Sequence, residues 1–202
     1  MMKIIAHRRN TIAQLVETPK KYGIEVDIRS FGNELHIHHD PYIQGEFFSQ
    51  WISKYEHGTL ILNVKEEGLE DRLIALMKEF GINDYFFLDQ SFPFLIKYSS
   101  LAENRSAIRI SEYESIETAY RVAGRVAWAW LDCFSHFPLS AEEVIRLKEL
   151  GLKLCIVSPE LQGRPAEIEI PQYIQRIESF HSMIDAVCTK RYDLWEQSGM
   201  ME

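Results

Sequence analysis

"KIIAHRRNTIAQLVETPKKYGIEVDI", residues 3–28, is the stretch on which the fold turns. It opens with a short apolar run, KIIAH (3–7), passes through a segment of helical periodicity, and closes on a second apolar run, GIEVDI (23–28). The same alternation continues through TLILNV (59–64), YFFLD (85–89), SAIRI (106–110), VAWAWLD (126–132), KLCIV (153–157) and DAVCT (185–189). Runs that are apolar almost throughout are strands buried on both faces, as in a parallel sheet. Eight of them separated by helices predict an α/β fold, a compact (α/β)8 barrel, with residues 1–202 forming one domain. The competing architecture, an open doubly wound sheet, usually carries a glycine-rich turn after its first strand, and IAHRRN has none.

Helix punctuation agrees with this reading. Predicted helices close on Gly58, Gly81, Gly124 and Gly151. Ser140 with Glu143 three residues on forms a capping box before EEVIRLKEL. The segments EFFSQWISKYEHG and PQYIQRIESFHSM are both read as helices.

Composition narrows the function. A chain of 202 residues with 46% hydrophobic and 26% charged residues has an ordinary globular balance. A net charge of −8 argues against a nucleic-acid partner bound by broad phosphate neutralisation, but leaves room for a small anionic substrate held by local cations. Cys133, Cys155 and Cys188 form no CxxC pair and are read as buried free thiols. No apolar run approaches the roughly 20 residues of a membrane span, and the apolar stretch before the first charges is short for a signal peptide. The expected setting is soluble and cytoplasmic.

Barrels of this class keep their chemistry at the C-terminal ends of strands. Those ends carry His7 and Arg8, Glu25 and Asp27, Asn63 and Lys65, Asp89, Arg109 with Ser111 and Glu112, Asp132, Ser158 with Glu160, and Thr189. Trp128 and Trp130 share a strand face, so Trp130 is a candidate wall for a sugar pocket. HIHHD (36–40) concentrates three of the seven histidines in a strand that follows a turn at FGN. On strand parity His36 and His38 lie to one side, and His39 to the other. Two readings follow: an HxH metal pair of His36 and His38, or a pairing of His39 with Asp40. His36 and Arg29 are expected to be solvated.

Taken together, IAHRRN, GIEVDIR, NELHIHHDP and LILNVK resemble, in order and spacing, the glycerophosphodiester phosphodiesterases, a short variant of the phosphatidylinositol-phosphodiesterase-like barrels. These motifs fall within the first 65 or so residues, and VCTKR at the last strand is similar to the family's final strand end. The resemblance implies a barrel with a short hairpin insertion after its second strand. It implies that His7 and His39 are the catalytic pair, that Arg8 and Lys65 face the phosphate, and that Glu25, Asp27 and Asn63 hold a divalent cation, Ca²⁺ or Mg²⁺. Arg9 stands where the family has glycine, and Asn63 where it has a glutamate ligand. One carboxylate fewer implies weak metal binding. RISEYE and VSPELQGR resemble stretches of short relatives that occur with surface-polysaccharide genes, which points to a glycan-linked diester.

The residue types suit the chemistry. Histidines exchange protons near neutral pH, an arginine forks onto phosphate oxygens, and a hard cation adds Lewis acidity. The expected activity is hydrolysis of a small phosphodiester, glycerophosphodiester-like or glycan-linked. Two alternatives remain: a non-catalytic phosphate or glycan binder on the same barrel, and a Schiff-base enzyme acting through Lys65.

Overall fold

The computed structural model describes residues 2–200. In chain order it contains β1 (Lys3–Ala6), α1 (Ile12–Glu17), β2 (Gly23–Phe31), β3 (Glu34–Ile37), β4 (Glu46–Phe47), α2 (Phe48–Ile52), β5 (Leu60–Val64), α3 (Glu70–Glu79) and β6 (Tyr85–Leu88). There follow α4 (Phe92–Ser100), β7 (Ala107–Ile110), α5 (Ile116–Val122), β8 (Trp128–Leu131), α6 (Ala141–Glu149), β9 (Lys153–Val157), α7 (Ala166–Ile177), β10 (Ala186–Thr189) and α8 (Tyr192–Glu196). All eight predicted core strands are present.

Parallel ladders run β6–β5–β2–β1–β10–β9–β8–β7. The ring closes where Phe87 of β6 bridges Ser106, just before β7, with the Phe87 N–H donating to the Arg105 carbonyl at 2.8 Å. β3 and β4 are antiparallel additions to β2 and form the expected hairpin after the second strand.

Period-two alternation sorts each strand into two faces. Ile5, Ile61, Phe86, Leu88, Trp128, Trp130, Cys155, Val157, Ala186 and Cys188 fill the barrel interior, with Phe86 stacked on Trp128 at 4.5 Å. The opposite parity, such as Ile24, Val26, Leu60 and Leu62, packs outward under α2 and α3 through Trp51, Leu73 and Met77. Leu154, Ile156 and Val187 pack with Val144, Leu147 and Ile170 of α6 and α7. The three cysteines are free and buried. No helix among the described residues is long and apolar enough to cross a membrane.

Two helices differ from expectation. The segment predicted as one helix from residue 46 begins as β4, because Glu46 and Phe47 pair with Ile37 and His36, and only Phe48–Ile52 is helical. α7 starts at Ala166 and carries Pro171 inside it, whereas the sequence reading begins the helix at that proline. The capping box at Ser140 and Glu143 forms as predicted, and Thr11 with Gln14 makes a second one on α1.

Candidate active site

Strand parity places the site. Glu25 and Asp27 alternate with the outward Ile24, Val26 and Ile28, so both carboxylates enter the barrel, where each is fully buried. Asp27 pairs across the ladder with Asn63, which shares the inward face with Ile61. Two residues further on, Lys65 reaches back over the strand end. His7 and Arg8 leave β1 beside them. Arg8 (φ 50°) is left-handed, as is Asp89 (φ 60°) at the end of β6, and non-glycine residues held there are strained. That turn points the Arg8 N–H at Glu25 Oε2, 2.7 Å away.

Three of the four buried carboxylate oxygens accept hydrogen bonds, and the fourth, Asp27 Oδ1, has only the Lys65 charge beside it. Asn63 Nδ2 donates to Glu25 Oε1 at 2.7 Å. Asn10 Nδ2 donates to Asp27 Oδ2 at 2.8 Å, and the Asp27 N–H donates to Asn10 Oδ1 at 3.0 Å. Lys65 Nζ lies 3.2 Å from Asp27 Oδ1 and 3.1 Å from Asp89 Oδ2. Arg8 Nε is 3.5 Å from Asp27 Oδ2. From the far wall Arg109 pairs with Asp89, with Asp132 at 2.6 Å and with Glu114 at 3.7 Å. Gln162 Nε2 donates to the other oxygen of Asp132. An ammonium set between two carboxylates is not a free amine nucleophile, which counts against the Schiff-base reading of Lys65.

His7 and His39 come to one cavity from different elements. A space of about 270 Å³ at the barrel mouth is lined by His7, Arg8, Glu25, His39, Asn63, Lys65, Asp89, Arg109, Trp130 and Asp132, among others. His7 is mostly buried. Burial, then the charges of Arg8, Lys190, Lys65 and Arg9, lower its pKa from 6.5 to about 2, so the ring is neutral. Its Nε2 lies 3.8 Å from Glu25 Oε2, a long contact between a neutral ring and an acid rather than an ion pair. Burial, then the charge of Asp27, raises the Glu25 carboxyl above its ordinary value. His39 is more open and takes Asp40 Oδ1 at 2.8 Å on its Nδ1.

The hairpin that carries His39 is built closely. Gly45 returns so near β3 that a Cβ there would sit 1.8 Å from the Ile37 carbonyl. His36 Nδ1 donates to the Gly45 carbonyl at 2.8 Å, with Phe47 at 4.5 Å and Phe31 at 5.6 Å from the ring. His36 is therefore buried, not solvated. His38 faces another partner, its Nδ1 accepting the Asp40 N–H at 2.9 Å. Among the described residues no three His, Cys, Asp or Glu side chains form a metal cluster. Arg29 is also not solvated. Its guanidinium donates to the His39 carbonyl at 2.9 Å and the Lys65 carbonyl at 3.3 Å, tying two candidate residues to one strand.

Two of the expected mouth candidates serve the loops instead. Glu112 accepts the N–H groups of Phe134, Ser135 and His136 at 3.1, 2.6 and 2.8 Å. Glu160 accepts the Thr189 hydroxyl at 2.6 Å and the Lys190 N–H at 2.9 Å, and also pairs with Ser158. Neither lines the cavity. Asn10, Arg29 and Gln162 were not singled out for the site from the sequence, whereas Asp40 entered there as the partner of His39.

The donor set fits a hard divalent cation by chemistry: two carboxylates and an amide, with Asn63 Oδ1 buried and without a hydrogen-bond donor. The Lys65 ammonium competes for it, because it already faces Asp27 Oδ1.

No family model matches the chain, and no curated protein matches it. Among solved structures it is similar to a glycerophosphodiester phosphodiesterase from Agrobacterium tumefaciens str. C58. The TM-score is 0.67 at 15% identity, over 98% of this chain and 99% of that one. It is also similar to a glycerophosphoryl diester phosphodiesterase from Parabacteroides distasonis ATCC 8503, with a TM-score of 0.65 at 12% identity, over 98% of this chain and 85% of that one. Identity this low speaks to architecture, and in architecture the chain resembles the barrel of the glycerophosphodiester phosphodiesterases.

Proposed function

We propose that this protein hydrolyses a small phosphodiester, glycerophosphodiester-like or glycan-linked, with His7 as base and His39 as acid. The observation that carries this reading is the meeting of two histidines of unlike environment with Arg8 and Lys65 at one cavity. A neutral, buried imidazole accepts a proton, while His39, more open and held by Asp40, is placed to hand one to the leaving oxygen. His7 takes the proton of the attacking water or substrate hydroxyl as the new O–P bond forms. His39, oriented by Asp40, gives a proton to the alkoxide as the old P–O bond breaks. Arg8 and Lys65 face the phosphoryl oxygens. The diester anion offsets the positive field of Arg8, Lys190, Lys65 and Arg9 on His7, the smaller cause of its low pKa beside burial, and so shifts its basicity upward. Trp130 and Asp132 form the wall against which the alcohol portion rests. Glu25, Asp27 and Asn63 would hold Ca²⁺ or Mg²⁺, which when bound supplies Lewis-acid charge at the phosphoryl oxygen.

Turnover of glycerophosphoglycerol and of a chromogenic phosphodiester tests this, with product alcohol and monoester measured separately. Release of both products supports it. Saturable binding without turnover, with and without Ca²⁺ or Mg²⁺, would replace it with the non-catalytic binder.

A further inference from the structure

A phosphodiester carries one negative charge, and Arg8 and Lys65 already face the place it would take. Two more cations stand beside them. Arg9 follows β1 and Lys190 follows β10, on strands paired through Ala6 and Thr189. Both line a second, larger space of about 1020 Å³ that shares His7, Arg8 and His39 with the first.

Neither cation has a carboxylate within 4.0 Å among the described residues. The two acids lining this space are occupied elsewhere: Asp40 faces His39 at 2.8 Å, and Glu46 accepts the Ile12 N–H at 2.7 Å. Arg9 Nε is buried without a hydrogen-bond partner. Its backbone is fixed at both ends, the N–H donating to the Glu25 carbonyl at 2.9 Å and the carbonyl accepting Trp51 Nε1 at 2.9 Å. The guanidinium lies 6.0 Å from the centre of the Tyr192 ring, which itself packs on Tyr22 at 5.0 Å. The Lys190 N–H is tied to Glu160 at 2.9 Å. The Arg9 Nε, buried and unpartnered beside a buried histidine, is costly unless an anion comes to it, and the exposed Lys190 at the end of the neighbouring strand adds a second positive charge to the same space. In a chain of net charge −8 there are acids enough to pair them, yet the two that line this space, Asp40 and Glu46, are engaged with His39 and the Ile12 N–H instead.

We infer that Arg9 and Lys190 form a second anion subsite, so that the substrate is a phosphodiester carrying a further phosphate or carboxylate on one of its alcohols. This deepens the phosphodiesterase reading and rests on it. The first anion lies between the two histidines against Arg8 and Lys65. The second extends along β1 and β10 toward Tyr192, where the fork of Arg9 and the point charge of Lys190 meet it.

Binding and turnover separate the two claims. Wild type, Arg9→Gln, Lys190→Gln and the double variant are titrated calorimetrically with glycerol phosphate, glycerol bisphosphate and phosphoglycerate. The wild type should prefer a two-anion ligand over glycerol phosphate by about 10-fold or more, the scale of a charged hydrogen bond. Each single variant should reduce that preference and the double variant abolish it. Phosphoglycerate matching the bisphosphate would identify a carboxylate as sufficient, and a preference for the bisphosphate alone would assign a second phosphate. Equal wild-type affinity for all three ligands, or a preference surviving in the double variant, overturns the subsite. In parallel, glycerophosphoglycerol is compared with its terminally phosphorylated form as substrate. Cleavage of both at equal kcat/KM removes the subsite and leaves the hydrolase. Cleavage of neither, with the ligand preference intact and lost in the double variant, removes the hydrolase and leaves the subsite.

Discussion

Replacing Lys65 by methionine keeps the aliphatic stem and removes one charge from a closed network. Asp27 is fully buried, and its Oδ1 has Lys65 Nζ at 3.2 Å. Breaking a buried pair by removing one partner typically costs about 3–5 kcal/mol, because the remaining charge stays desolvated. Asp27 keeps Asn10 on Oδ2 and on its N–H, and Arg8 at 3.5 Å, so the lower end applies here. A loss of about 3 kcal/mol lowers Tm by about 6–12 °C in a chain of this length. Thermal unfolding followed by circular dichroism at neutral pH measures it. The double variant Lys65→Met with Asp27→Asn should recover more than half of the loss, since no buried charge is then left over. Added Ca²⁺ should stabilise Lys65→Met more than wild type, because a competitor for the carboxylate has gone. A single variant unfolding within about 1 °C of wild type, where about 6 °C or more is expected, would refute the account of Lys65 as the counter-charge of Asp27.

His7→Ala and His39→Ala should each lower phosphodiester turnover by about 10²-fold or more, while His38→Ala should lose only several-fold; equal losses at His38 and His39 would contradict the assignment. His36→Ala should act on stability instead, by about 1–3 kcal/mol in urea unfolding, since it removes a buried hydrogen bond to the Gly45 carbonyl. Asn63→Glu should tighten a weak affinity for Ca²⁺ or Mg²⁺ in titration calorimetry, and no gain would remove Asn63 from the ligand set. Glu112 is pushed up by burial, but the N–H groups of His136 and Ser135 outweigh this and hold its pKa at about 2, below the ordinary 4.5. Its contribution is complete above pH 4.5 and is lost as pH falls toward 2, so Glu112→Gln should weaken the protein at neutral pH and flatten that acid limb.

The eight barrel strands were legible because burial on both faces makes each one apolar in a run, whatever its partners. The mouth residues were legible because polar groups at the ends of such runs have few places to go. What escaped the sequence depends on distant partners. Arg29 looks solvated until the carbonyls of His39 and Lys65 are seen to converge on it. His36 looks like half of a metal pair until Gly45 returns beneath it. Glu112 and Glu160 occupy the right strand ends, yet the N–H groups of neighbouring loops claim them first. β4 escaped because two residues carry no period of their own. The start of α7 was misplaced because a proline was read as a helix opening when it lies within one.

The bridge between Phe87 and Ser106 has a further consequence. It divides the barrel into β1, β2, β5 and β6 on one side and β7 to β10 on the other. Each side has its own outer packing: one layer draws only on residues from Ala6 to Phe87, and the other chiefly on residues from Leu95 to Trp195. The proposed proton-transfer residues and the cations facing the scissile phosphate belong to the first side, as does Arg9, while Lys190, Arg109, Trp130, Asp132 and Gln162 belong to the second. On the proposed assignment, reaction is written on one piece of polypeptide and recognition chiefly on the other. A nick near Ala102, a left-handed residue between α4 and β7, would leave two fragments able to complement one another through the β1–β10 ladder. Exchanging the second fragment for that of another such barrel would graft a new specificity onto unchanged chemistry.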